Sequence, residues 1–224
     1  MQSGEELSEA DQEYCRVQWL NAMDTAIVYA QAMVNRGLHK QIANRILEPW
    51  AHINVVVTAT EWDNFFNLRA HKDAQPEIQD LAYKMLNAMA GSQPNHLKSG
   101  DWHLPYINSS DWVKIQGEHN SMDTKLDVLK KVSVSRCARV SYLTHDGRET
   151  TIEEDLQLYD RLVGSTPIHA SPTEHQATPD TRYLSGTNDG AWKNGAQHGN
   201  FVGWIQNRKL IEAQMSQEAL SSSS

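Results

Sequence analysis

Thr58-Ala-Thr-Glu-Trp-Asp-Asn-Phe-Phe-Asn-Leu-Arg69, continued by Ala70-His-Lys-Asp-Ala-Gln-Pro-Glu-Ile78, is the stretch on which the reading of this chain turns. An aromatic-rich run carrying Asn64 and Arg69 stops, turns through Lys72-Asp73 and restarts as a helix at Pro76-Glu77. Proline suits a first helical turn, where its missing N–H has no intrahelical partner, and an acidic neighbour there suits the helix dipole. Ile78, Leu81, Ala82, Met85 and Met89 then recur at helical spacing, with Gln79, Asp80, Lys84 and Asn87 on the other faces. An Arg and an Asn are thus presented at a helix–turn–helix corner beside an apolar face. A guanidinium fork there matches carboxylate, phosphate or imide oxygens of a planar anion. From the residues alone the plainer reading, a core helix with a satisfied surface arginine, is preferred.

Working outward, Ser8-Glu-Ala-Asp11 has the form of a capping box with Asp in the acidic position. It opens a helix whose Leu20, Met23, Ile27, Ala30 and Val34 form one stripe and which ends near Gly37. A second helical stretch over 39–48 is expected to stop before Pro49, because a residue preceding proline is pushed out of the helical region. Asn54-Val-Val-Val-Thr58 has strand-like composition. Over 90–123 the periodicity dissolves into Gly, Pro, Ser and Asn, while Trp102, Leu104, Tyr106 and Trp112 predict a connector pinned to the body. Helical character returns over 124–137. Thr151-Ile-Glu-Glu154 is a second capping box, opening a helix with Ile152, Leu156, Tyr159 and Leu162 inward and Gly164 as its stop. Residues 186–199 are Gly/Asn-rich and expected to be mobile, 199–206 extended, 207–220 helical and 221–224 a frayed tail.

At 224 residues the chain can build one domain with a real core or two small ones. Its formal charge of −8 argues against a nucleic-acid footprint, which needs clustered Lys and Arg. Two cysteines, Cys15 and Cys137, are too few for a disulfide framework and point to a reducing compartment. No apolar run approaches a membrane span, and Met1-Gln-Ser-Gly-Glu-Glu6 is too acidic for a secretory signal, so a soluble, cytoplasmic protein is expected. The ten histidines include no H-E-x-x-H and no Cys/His quartet at zinc spacing, and neither a G-x-G-x-x-G nor a Walker loop occurs.

Three separated segments resemble one family. Glu61-Trp-Asp-Asn-Phe-Phe-Asn-Leu-Arg69 with Ala74-Gln-Pro-Glu-Ile78 resembles the C-terminal signature of the flavin-dependent thymidylate synthases, the ThyX family. Ala138-Arg-Val-Ser-Tyr142 resembles the segment that opens the usual family sequence, and His169-Ala-Ser-Pro-Thr-Glu-His175 resembles its H-x-[ST]-P-F-E-H flavin loop. The order is exchanged, since Arg69 precedes Arg139, so the chain looks like a circularly permuted form of a kind associated with bacteriophage genomes. The family's R-H-R-x-x-S-x-N-x-x-S-x-R-Y motif has no counterpart here. Asn35-Arg-Gly-Leu-His-Lys-Gln41 and Asn207-Arg-Lys209, the basic clusters, lack its downstream pattern. The resemblance therefore implies a synthase without the N-terminal portion that carries that motif.

The resemblance implies an α+β fold, mainly helical with a small sheet. Residues 1–90 would correspond to the family's C-terminal half, 91–123 to a connector and 124–220 to its N-terminal half. It also makes the 54–69 region helical, against the strand-like composition of 54–58. It implies methylation of dUMP to dTMP with methylenetetrahydrofolate as carbon donor, FAD as hydride carrier and NADPH as reductant. Arg69 and Arg45 would contact the nucleotide, Arg69 stabilising negative charge on the pyrimidine. Asn64, Ser141, His169, Ser171 and Glu174 would contact flavin, while Thr173 stands where an aromatic is usual, which implies a less tightly packed loop. Homotetramers with sites at subunit junctions are implied, in the host cytoplasm if the gene is a phage's. One half of a split enzyme awaiting a second chain, and a folded non-catalytic remnant, are the alternatives.

Overall fold

The computed structural model describes residues 6–116, 121–140 and 148–221. It is mainly helical with one two-stranded antiparallel sheet, an α+β arrangement. Helix α1 (Glu9–Asn35) starts where Ser8 predicts: the serine hydroxyl accepts from Asp11 N–H at 3.2 Å and donates to the Asp11 carboxylate at 2.6 Å. Gly37, at φ 92°, lets the chain reverse so that Leu38 N–H reaches Met33 O at 3.1 Å. A short α2 (Lys40–Ala43) runs into a 3₁₀ turn (Asn44–Trp50) that carries Pro49 inside it, past the stop expected before that proline. Trp50 donates its indole N–H to Trp19 O at 3.1 Å and its ring lies 5.4 Å from that of Trp19, tying this turn back onto α1.

Little else covers α1. Ala30 is its one buried residue, and Tyr14, Val28 and Tyr29 are each more than 60% exposed. Met23 and Val34 of the expected stripe are half-buried, whereas Leu20 and Ile27 remain exposed.

Residues 51–62 form no helix; the chain runs irregularly until α3 (Asp63–Arg69) begins. The helical expectation for 54–62 is therefore corrected, for a physical reason given below: this segment is held by contacts with residues more than a hundred positions away. In α3, Trp62, Phe65 and Phe66 form an aromatic cluster with centroid separations of 5.3–6.2 Å. Helix α4 (Pro76–Ala90) packs against α3 with Ala82 fully buried and Ile78 and Met85 half-buried, while Leu81 and Met89 stay exposed.

The core lies around α6 (Met122–Arg139). Leu129, Val132, Ser133, Val134, Ser135 and Cys137 are all buried, so this helix is enclosed nearly all round. Its two buried serines are satisfied across elements, Ser133 donating to Pro105 O at 2.8 Å and Ser135 to Asp155 O at 2.5 Å. Helix α7 (Ile152–Val163) packs along α6 and opens with the full capping box expected of Thr151 and Glu154. It stops at Gly164, where a Cβ would stand 2.6 Å from Asp160 O.

The connector is not bare loop. It contains α5 (Ser109–Ile115), opened by a capping box of Asn108 and Asp111, and an ion cluster staples it to the core. Arg136 of α6 binds both Asp111 oxygens at 2.8 and 2.9 Å, Asp155 at 3.0 Å and Tyr106 O at 2.8 Å. Tyr106 sits at φ 64°, a backbone conformation that costs a side-chain-bearing residue about 1 kcal/mol, and its carbonyl is held there by Arg136. Trp102 lies under the Lys130 ammonium, 4.7 Å from it.

The sheet joins β1 (Ala177–Pro179) to β2 (Trp204–Gln206), pairing Ala177 with Gln206 and Pro179 with Trp204. His103 pairs with Ala177 on the other side, so the connector also flanks β1. The Gly/Asn-rich 186–199 segment, expected to be mobile, is stitched to the start of this sheet by buried Asp180. That carboxylate accepts from Thr181 N–H, from Asn194 N–H and side chain, and pairs with His198 Nε2 at 2.9 Å. Burial opposes ionisation of Asp180, but these bonds outweigh it and bring its pKa down to about 2. Helix α8 (Asn207–Ser221) follows β2 without a loop. Among the described residues no helix is long and apolar enough to cross a membrane.

Candidate functional site

The centre of the site is the turn after α7. His169 N–H donates to Leu162 O at 3.0 Å, and Ser171–Glu174 then form one 3₁₀ turn. Thr173 is fully buried, and its hydroxyl bonds Ala170 O at 2.6 Å while its N–H bonds the same carbonyl at 2.9 Å. The turn is thus closed by a hydroxyl at the position where the resemblance expects an aromatic ring. The residues that follow are anchored in three directions. His175 Nδ1 lies 3.1 Å from Thr58 Oγ1. Buried Gln176 donates its side-chain amide to Ser133 Oγ at 3.2 Å, and its Oε1 has no hydrogen-bond partner among the described residues. Gln206 Nε2 donates to Glu174 O at 3.1 Å, and the Glu174 carboxylate pairs with Arg208.

Two cavities meet at Ser171 and Pro172. One, of about 650 Å³, is walled by Ala138, Leu158, Leu162, Ala170 and Pro172, with Arg139, His169 and Ser171 as its polar groups. Its size falls in the range of small-molecule sites, and an apolar wall with a few polar groups is their usual lining. The other, of about 230 Å³, lies on the far side of the same turn among Val55, Val56, Cys137, Ala138, Val140 and His175. A further cavity of about 680 Å³ between α6, α7 and α8 includes none of the expected nucleotide- or flavin-contacting residues. Arg139 is held in place by Glu154 O at 3.1 Å and by Asp155 at 3.3 Å.

His169, Ser171 and Glu174 therefore share one turn, and His169 and Ser171 line one cavity. Ser141 lies outside the described residues. Arg45, Asn64 and Arg69 are exposed, carry no side-chain hydrogen bond or ion pair to any described residue, and line neither cavity at Ser171. Their connection to the turn runs through the chain just before α3: Thr58 bonds His175, and Thr60 Oγ1 accepts from Val202 N–H at 3.1 Å. Those two threonines carried no sequence signal, since a lone Thr in a Val/Ala-rich run reads as strand propensity.

The electrostatics suit binding more than covalent catalysis. Burial pushes the Cys137 thiol up to about 12, which leaves it protonated and unreactive at neutral pH. Burial also lowers His175, against the opposing pull of the Glu174 charge, so a neutral ring bonds Thr58. No cluster of His, Cys, Asp or Glu among the described residues is arranged to hold a metal ion.

Comparison with known proteins bears on the same segments. Residues 2–95 match the sequence model of the family described as "Thymidylate synthase complementing protein". The flavin-dependent thymidylate synthase of Pyrococcus furiosus is 36% identical over 74 residues, which is 32% of this chain and 30% of that protein. The enzyme of the same name from Pyrococcus abyssi matches with the same identity and coverage. The chain thus spans about a third of the length of the curated relatives it matches. No solved structure matches it.

Proposed function

We propose, from a chain whose residues 2–95 belong to the flavin-dependent thymidylate synthase family, that this protein takes part in methylating dUMP to dTMP. The observation that carries the reading is the docking of the run before α3 onto the 169–175 turn through Thr58–His175, across 117 residues of sequence, with Thr60 held by Val202 N–H just before β2, across 142. Two segments that resemble the family independently are held against one another by it. On this reading 1–90 and 124–220 are the family's two halves in exchanged order, bridged by 91–123.

The cavity beside Ser171 fits a flavin in character: flat apolar walls from Leu158, Leu162 and Pro172, and polar groups at His169, Ser171 and Arg139. Those residues, with Glu174, would hold FAD, which when bound supplies the hydride that reduces the transferred carbon to a methyl group. NADPH and methylenetetrahydrofolate are the reductant and carbon donor on the same reading. Arg69, at the end of α3, and Arg45, in the 3₁₀ turn, are exposed cations that would attract the nucleotide, and Arg69 would stabilise negative charge developing on the pyrimidine. Asn64 would offer its amide to the flavin ring. Cys137, buried and protonated, takes no part as a nucleophile.

Arg45, Asn64 and Arg69 project away from any described partner, and this favours a site completed by a second chain or a second copy. The test is a titration of the purified chain with FAD and dUMP, followed by flavin fluorescence and melting temperature, alongside tritium release from labelled dUMP. FAD at about 100 times its dissociation constant should add roughly 2.7 kcal/mol of stability, with no turnover by this chain alone. Failure of both ligands to shift a folded sample at millimolar concentration would leave a non-catalytic role.

A further inference from the structure

Sequence reading set Asn207-Arg-Lys209 aside as a basic cluster without a motif. The structure places it against the 169–175 turn. Because β2 passes into α8 without a loop, Asn207 is buried and its N–H bonds Gln176 O at 2.9 Å, while Gln206 holds the carbonyl of Glu174. Arg208 is thereby delivered to the rim of the turn. Its guanidinium fork is divided: Nη1 binds Glu174 Oε1, and Nε binds Glu212 Oε1 one helical turn along at 2.6 Å. Lys209 holds the second Glu212 oxygen at 2.9 Å. The Glu174 carboxylate has no other hydrogen-bond or ion-pair partner among the described residues.

We infer that Arg208 is the positioning residue of the flavin turn, fixing Glu174 so that its free oxygen is available to N–H or O–H donors of the bound flavin, with no part in holding its phosphates. The inference rests on the flavin reading above. Its chemistry follows from the charges. Glu174 and Glu212 are balanced by Arg208 and Lys209, so the cluster exerts no net pull on a pyrophosphate, and a carboxylate oxygen repels one. An ammonium on a lysine stem is a compact point charge without the planar, spread donors with which the fork sets the geometry of Glu174 and Glu212 together. Geometry and charge are therefore separable by substitution.

The experiment uses the whole chain and the variants R208A, R208K and E212A, with two readouts. The first needs no ligand: hydrogen exchange of the amides at Thr173 to Gln176. In R208A and R208K these should exchange about 1.5-fold to fivefold faster, the range expected for losing a partly exposed charged contact, with α6 amides unchanged. E212A, which frees the helix-side half of the fork, should give a smaller increase. The second readout is affinity for riboflavin and for FAD, which differ in the phosphates. R208A should weaken both by the same factor. Unchanged exchange in R208A, or wild-type exchange in R208K, would overturn the positioning role whatever the flavin result. Loss confined to FAD would overturn the donor-group assignment in favour of a phosphate contact. Wild-type protein that binds neither flavin, with exchange altered in R208A, would defeat the flavin reading while leaving Arg208 as the residue that orders the turn.

Discussion

Removing the Arg136 side chain beyond its stem, as Arg136→Met, tests how the connector is held to the core. The Asp111 and Asp155 side chains are 1% and 0% exposed and Arg136 is 17% exposed, so this is a buried ion cluster and not a surface pair. The losses fall unevenly. Asp155 keeps Arg139 at 3.3 Å and the Thr150 hydroxyl at 2.8 Å. Asp111 keeps only the Asn108 N–H at 3.0 Å and loses both guanidinium bonds, and Tyr106 loses the donor that holds its carbonyl. Breaking one side of a buried pair typically costs about 3–5 kcal/mol, most of it the penalty of the charge left behind. That range is expected here, read as a lower urea midpoint at unchanged slope.

The pH dependence supplies a second signature. In the wild type, burial opposes ionisation of Asp111, but the Arg136 hydrogen bonds and the Asn108 N–H outweigh it and hold the pKa below the usual carboxylate value. A depressed folded pKa contributes stability above the unfolded value of about 3.9, and that contribution is lost as pH falls through the folded pKa. Wild-type stability should therefore decline below about pH 4. In Arg136→Met the buried carboxylate is unpaired and its pKa moves up, so the variant should gain stability as pH is lowered from 7 towards 5. A destabilisation under about 1 kcal/mol, the worth of an exposed pair, together with an unchanged pH profile, would refute the reasoning.

Thr58→Val removes the hydroxyl that meets His175 and should cost about 0.5–1.5 kcal/mol in urea denaturation, with weaker FAD binding; a neutral result would mean that the docking rests on Thr60. Gly164→Ala places a Cβ 2.6 Å from Asp160 O and should cost about 1–3 kcal/mol through displacement of the α7 terminus, measured by its melting temperature. The uncovered face of α1 predicts self-association at micromolar concentration that Ile27→Glu or Val28→Glu disperses; sedimentation showing a monomer in the wild type would exclude a second copy as its cover.

What could be read in advance divides along the range of the interactions. Local signals held: the caps at Ser8 and Thr151, the restart at Pro76 and the stop at Gly164 each depend on atoms within four residues, and the chain forms them where the residues say. Val55-Val56-Val57 shows the limit. Its composition suits a strand and its resemblance a helix, yet it is neither, because Thr58 and Thr60 spend their hydroxyls on His175 and Val202. The α1 stripe illustrates a different gap. Periodicity identifies the face that needs cover, but not what covers it, and among the described residues it is α2 and the Trp50 turn that pack on α1. The site follows the same division. The candidate residues His169, Ser171 and Glu174 fall within six positions, a span that a sequence pattern can register. Asp111, Arg136 and Asp155, or Glu174 and Arg208, are unremarkable charges until folding brings together residues 19 to 34 positions apart. Arg208 is the instructive case: its basic cluster lacks any downstream pattern, and what distinguishes the arginine is the carboxylate it faces, Glu174. Such an arginine is recognised by its partner, and that partner is brought to it by the β1–β2 pairing, which no local pattern encodes.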